Sequence, residues 1–213
     1  MTDARVEFLA AARAAEGLLR RPEVAQAWER PSALAQWSVG GLAGHLAYQV
    51  LCVPEVLAAP APGEETVGLL EHYRRSQWLG AGVDAEINVR IRQSSEALGA
   101  SGPVALSRRV ADTIAGLPAV LAGEDGARAV RLPFWGAWSL ALDDLLTTRT
   151  MELAVHADDL AVSVGVPTPE LPPETSESVI GLLTRLAVRR HGPVSVLRAL
   201  SRAERAPGSI AAF

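Results

Sequence analysis

Apolar residues recur along this chain at intervals of three and four, the spacing that lines one face of a helix. Phe8, Ala11, Ala12, Ala15, Leu18 and Leu19 form one such stripe, with Thr2 the expected N-cap. A second stripe, Val39, Leu42, Leu46, Val50 and Val53, starts behind Ser38 and should kink or end at Pro54. The Ala- and Pro-rich residues 58–66 read as a loop, and 67–79 as a short helix. A longer helical region runs from Val83 to Leu98 and breaks at Gly99-Ala-Ser-Gly-Pro103. It resumes to Leu121, with Val110, Ile114, Leu117 and Leu121 turned inward. Residues 123–138 form a connection with room for a short extended piece. One long amphipathic helix then spans Ser139 to Val166 and stops near Gly165, with Pro167 and Pro169 beyond it. Two smaller helices, 175–190 and 194–205, split at His191-Gly192-Pro193. Strand signals are weak and no repeat recurs at a fixed period. The expected fold is all-α, a four-helix bundle over residues 1–170 with a C-terminal helical extension, 171–213, packed on it.

At 213 residues the chain can bury a full core. Its 20 basic residues are all Arg, scattered through a chain of net charge −4, which argues against a nucleic-acid partner. Exclusive Arg, with abundant Ala, Gly and Pro, reads as the codon bias of a GC-rich bacterial genome. The single cysteine, Cys52, permits no intramolecular disulfide, and its Val50-Leu51-Cys52-Val53 setting favours a small core residue over a nucleophile. The N-terminus has no signal-peptide apolar region, and no run reaches the roughly 18 apolar residues of a membrane span. A soluble, cytoplasmic protein without a membrane partner is expected, and a homodimer is the common default.

Chemistry concentrates on the long late helix. Glu152 and His156 lie four residues apart, so their side chains share a face about 6 Å apart. Both fall on the flank of the stripe set by Leu142, Leu146, Leu153 and Leu160; Arg149 lies between them and its centre. Asp143, Asp144 and Asp158 point away. His45 flanks the stripe of the second helix in the same manner. Two imidazoles and a carboxylate can hold a divalent ion and leave a position open. The same residues also admit a plainer arrangement: an Arg149–Glu152 ion pair, a satisfied core His156 and a surface His45. His72, beside Glu71, Tyr73 and Arg74, is expected to be exposed, and His191 to meet free carbonyls at a helix end. No phosphate-binding Gly-rich loop and no GxSxG elbow is present.

At these residues the chain resembles a known group. Trp37-SVGGLAGHLA-Tyr48 resembles the tryptophan, polar cap and histidine opening the second helix of the mycothiol-dependent maleylpyruvate isomerase N-terminal family, part of the DinB-like bundle superfamily. Arg149-TMELAVHADDLAVSVGVP-Thr168 resembles that family's R-x-x-E-x-x-x-H-x-x-D-L-A-x-x-x-G-x-P block, and the tail from Arg190 to Phe213 is similar to that of single-domain relatives. The resemblance implies a DinB-like four-helix bundle in which His45, Glu152 and His156 bind a divalent metal, usually zinc. It also implies mycothiol, the actinobacterial low-molecular-weight thiol, as co-substrate. Two positions depart from the pattern. Gly40-Gly41 replaces a charged pair, which loosens the helix start or opens room for substrate. About forty residues follow Pro173, too few for the further domain of the full isomerase, so maleylpyruvate isomerisation is not the expected reaction.

The expected activity is a metal-dependent thiol S-transferase acting on a small electrophile. Arg149, Trp135 and Trp138 are the expected substrate-binding residues. A metal-dependent hydrolase using bound water and a non-catalytic ligand-binding bundle of the same fold are the alternatives.

Overall fold

The structure is a computed structural model and describes residues 3–213. Asp3 caps α1 (Ala4–Leu19) by accepting a hydrogen bond from the Arg5 amide; Thr2, the expected cap, lies outside the described residues. A short α2 (Pro22–Gln26) leads to α3 (Val39–Ala58), which opens at Ser38, whose hydroxyl accepts from the Gly41 amide. Pro54 does not end α3. The buried Val53, Val56 and Leu57 hold its last turn against the core although the proline has no N–H to give. There follow α4 (Leu69–Arg75), α5 (Glu86–Gly99) and α6 (Pro103–Ala122). The connection holds the expected extended piece, β1 (Ala129–Val130), which pairs antiparallel with β2 (Leu140–Ala141). That pairing delays α7 (Leu142–Val164) past the expected Ser139, whose amide donates to Glu65 and whose carbonyl accepts from Val67. Gly165, in the left-handed region at φ 72°, ends α7 as expected. Two last helices, α8 (Pro173–His191) and α9 (Pro193–Ser201), are followed by a 3₁₀ turn over Ala203–Arg205.

Helices α1, α3, α6 and α7 surround one core built from Phe8 and Leu18, Leu42 and Leu46, Val110 and Leu117, and Leu146 and Leu160. This is an all-α helical bundle, assembled from the stripes the periodicity marks. By length and mean hydropathy, 1.2, α3 is able to cross a membrane, yet 72 % of it is buried inside the bundle, of which it is the central helix. A second cluster joins Val179, Leu182 and Leu186 of α8 to Tyr73 of α4 and Met151 of α7.

Glycines set the approach of α5 to α3. A Cβ on Gly44 would lie 2.2 Å from the Ser95 carbonyl oxygen, and one on Gly99 would lie 2.3 Å from that of Gly40. The Gly40-Gly41 pair neither loosens the helix start nor opens a chamber. Gly40 is covered by the Trp28 indole and Gly41 by the Glu96 carboxylate, which also accepts from the Ser38 amide and hydroxyl.

Candidate metal centre

Backbone contact between α3 and α5 brings Ser95 opposite His45. The Ser95 hydroxyl donates to the Ile91 carbonyl at 2.7 Å, so toward His45 Nδ1, at 3.2 Å, it acts as acceptor. His45 therefore carries its proton on Nδ1 and leaves Nε2 as an unprotonated acceptor. Gln49, one turn on, imposes the same tautomer independently. Its Oε1 must face the Arg149 guanidinium, which only donates, so its amide nitrogen lies against His45 Nε2 at 3.3 Å. Burial favours the neutral ring and lowers the His45 pKa.

The second imidazole is held by its own helix. His156 Nδ1 donates to Asp159 Oδ2 at 3.0 Å, one turn further along α7, which turns Nε2 toward Glu152 Oε2 at 3.2 Å. The same Glu152 oxygen lies 3.9 Å from His45 Nε2, and the two rings meet edge-on with centroids 4.6 Å apart. The three ligating atoms all lie within 4.8 Å of one another. Donors on a tetrahedral ion at ~2.0–2.1 Å stand ~3.4 Å apart, so this spacing suits one small cation. Side-chain exposures of 15 %, 13 % and 19 % for His45, Glu152 and His156 place the trio at the bundle's edge, within reach of solvent.

Charge at the trio is arranged around Glu152. Burial opposes its ionisation, but the hydrogen bond from His156, with the charges of His156 and Arg149, outweighs that and holds the carboxyl well below its usual range. For His156, burial opposes protonation, while Asp159 and then Glu152 favour it and raise its pKa to about 9. A cation held by Glu152 and His156 would take the place of that imidazolium proton.

The structure brings together His45, Glu152 and His156. Arg149 is buried and reaches Gln49 and Thr148; no Arg149–Glu152 ion pair forms among the described residues. Trp135 and Trp138 are buried around His72. His72 was expected at the surface and is 3 % exposed, because the Trp138 indole N–H donates to its Nδ1 at 3.0 Å and the Trp135 ring, tilted 56°, packs against it. His191 meets the Ala211 carbonyl of the C-terminal segment, 2.8 Å away, instead of the carbonyls of its own helix. Cys52 is a core residue whose thiol burial pushes up to about 11. Sequence reasoning missed Ser95 and Gln49. Asp159 stood in the quoted block three residues from His156, a spacing that could have identified it as the imidazole's partner. Two surface cavities, of about 610 and 320 Å³, are not lined by any of the trio.

Among known proteins, no curated relative and no solved structure matches the chain. The family described as mycothiol maleylpyruvate isomerase N-terminal domain matches residues 8–161, from α1 to the stretch of α7 just beyond His156 and Asp159. With that match across most of its length, the chain belongs to the mycothiol maleylpyruvate isomerase N-terminal domain family.

Proposed function

We propose that this protein is a metal-dependent thiol S-transferase in which His45, Glu152 and His156 hold one divalent ion, zinc before others, with mycothiol as the thiol. The observation carrying this is the orientation of the two imidazole rings. Ser95 and Gln49 on one side and Asp159 on the other leave an Nε2 of each ring directed at Glu152. Imidazoles so oriented by an outer partner are the usual furniture of zinc sites, and two His with one carboxylate leave a position open. When bound, the ion supplies the charge that stabilises a thiol as thiolate near neutral pH. The chain's own residues do the rest. Glu152 contributes negative charge, Ser95 and Asp159 hold the rings, and edge exposure admits the thiol and a small electrophile. Arg149, Trp135 and Trp138 are proposed to orient that electrophile. In the net reaction the thiol S–H bond breaks and a sulfur–carbon bond forms. The electrophilic carbon releases a leaving group that departs with the proton or, in an activated alkene, the π bond opens and its other carbon takes the proton.

Thiol consumption by the zinc-loaded chain, measured with mycothiol and with N-acetylcysteine against a panel of electrophiles, tests the proposal. The expected result is mycothiol-dependent turnover that chelation abolishes and zinc restores. Turnover without any thiol would replace transfer by hydrolysis. Zinc uptake without turnover of either thiol would leave a binding bundle and refute the transferase.

A further inference from the structure

Gln49 is buried on α3, 1 % exposed, and its carboxamide is committed to three partners. Oε1 accepts from the Arg149 guanidinium, and Nε2 donates one hydrogen to the His45 carbonyl at 3.0 Å. The other hydrogen of that nitrogen is directed at His45 Nε2, 3.3 Å away. Arg149 only donates, so the amide cannot turn end for end and offer its oxygen to the ring or to an ion beside it. Ser95 keeps the ring proton on Nδ1, which leaves Nε2 a single lone pair in the plane of the ring. Gln49 occupies that lone pair, and it is the same one that His45 would give to a cation shared with Glu152 and His156. It cannot serve both.

We infer that Gln49 is a latch on the metal centre, a positioning residue whose amide holds His45 Nε2 in the metal-free protein and must release it before the ring can ligate. The inference rests on the metal reading above and adds to it a competitor built into α3. Release costs the hydrogen bond to Nε2. It also leaves an N–H without an acceptor in a setting nearly closed to water, because Arg149 keeps the far end of the amide fixed. The latch thus preserves the ligating tautomer and lowers the affinity for the ion at once.

The test is Gln49→Leu in the full chain, which keeps the bulk and removes the donor, while Ser95 still sets the tautomer. Zinc affinity is measured by competition with a chromophoric chelator. The expected result is a dissociation constant lowered ~3- to 10-fold, the worth of one buried hydrogen bond. A residue that merely supports His45 would move it the other way, so equal or weaker zinc binding by a folded variant overturns the inference. Arg149 loses an acceptor in that variant, so a second measurement uses the parent alone: a crystal structure of the zinc-loaded chain. There the amide should have turned off His45 Nε2 while keeping the His45 carbonyl, and an amide still directed at Nε2 overturns the inference as well. A parent and a variant that both take up no zinc refute the metal reading and the latch with it, a result distinct from equal affinities.

Discussion

Lowering the pH loads a proton onto His72 in the unfolded chain before it does so in the folded one. Unfolded, the imidazole titrates near ~6.5. Folded, burial and then the Arg149 guanidinium push it down to about 4. The Trp138 indole reinforces this by donating to Nδ1, a bond that a proton on that nitrogen destroys. Between the two values the unfolded state holds more protons, so stability falls as the pH falls. The contribution is whole above ~6.5, is lost as the pH drops through that value, and levels off below the folded value. From pH ~7 to pH ~4.5 the shift is worth about 2 kcal/mol, a sizeable share of the stability of a domain this size.

Carboxylates titrate in the same window, so the measurement is a difference. Urea unfolding of the parent and of His72→Gln is followed across the range; the glutamine carbonyl can accept from Trp138 in place of Nδ1. The parent should lose about 2 kcal/mol more than the variant on acidification. Parallel curves would mean that the folded imidazole takes up its proton as freely as the unfolded one, and would refute the argument from burial.

Three further outcomes are expected. His156→Ala should abolish zinc uptake measured by elemental analysis while His191→Ala, far from the trio, leaves it intact; equal loss would mean the ligands are wrongly assigned. Asp159→Asn should weaken zinc binding ~10- to 100-fold in a chelator competition, because the amide no longer supplies a negative charge to hold the His156 proton on Nδ1. Gly44→Ala should cost about 1–3 kcal/mol in urea unfolding and weaken zinc binding as well. Its Cβ would meet the Ser95 carbonyl, and backing α5 away removes Ser95 from His45.

What the amino-acid order shows and what it hides divide along a physical line. Glu152 and His156 are legible because both lie on one helix, where spacing alone fixes relative direction. The stripes of α1, α3, α6 and α7 are legible for the same reason, and four of them imply a bundle. Periodicity gives the face that a helix buries, but not the neighbour that covers it. Ser95 reaches the site from α5, a helix whose polar composition reads as surface. His72 sits between Glu71 and the Arg74–Arg75 pair, and only the indole of Trp138, 66 positions away, makes its burial tolerable.

The glycines show the same limit from the other side. Gly40, Gly41, Gly44 and Gly99 weaken helix propensity and, taken locally, read as looseness. In the fold they are where α3 is approached most closely, by Trp28, by Glu96 and by the backbone of α5. That approach delivers Ser95 to His45 Nδ1 and leaves Nε2 unprotonated. The departure from the family's charged pair thus does not widen a substrate chamber. It draws α5 inward, so that an imidazole on one helix is oriented by a hydroxyl on another, and the tautomer that a metal requires is set by helix packing before any metal arrives.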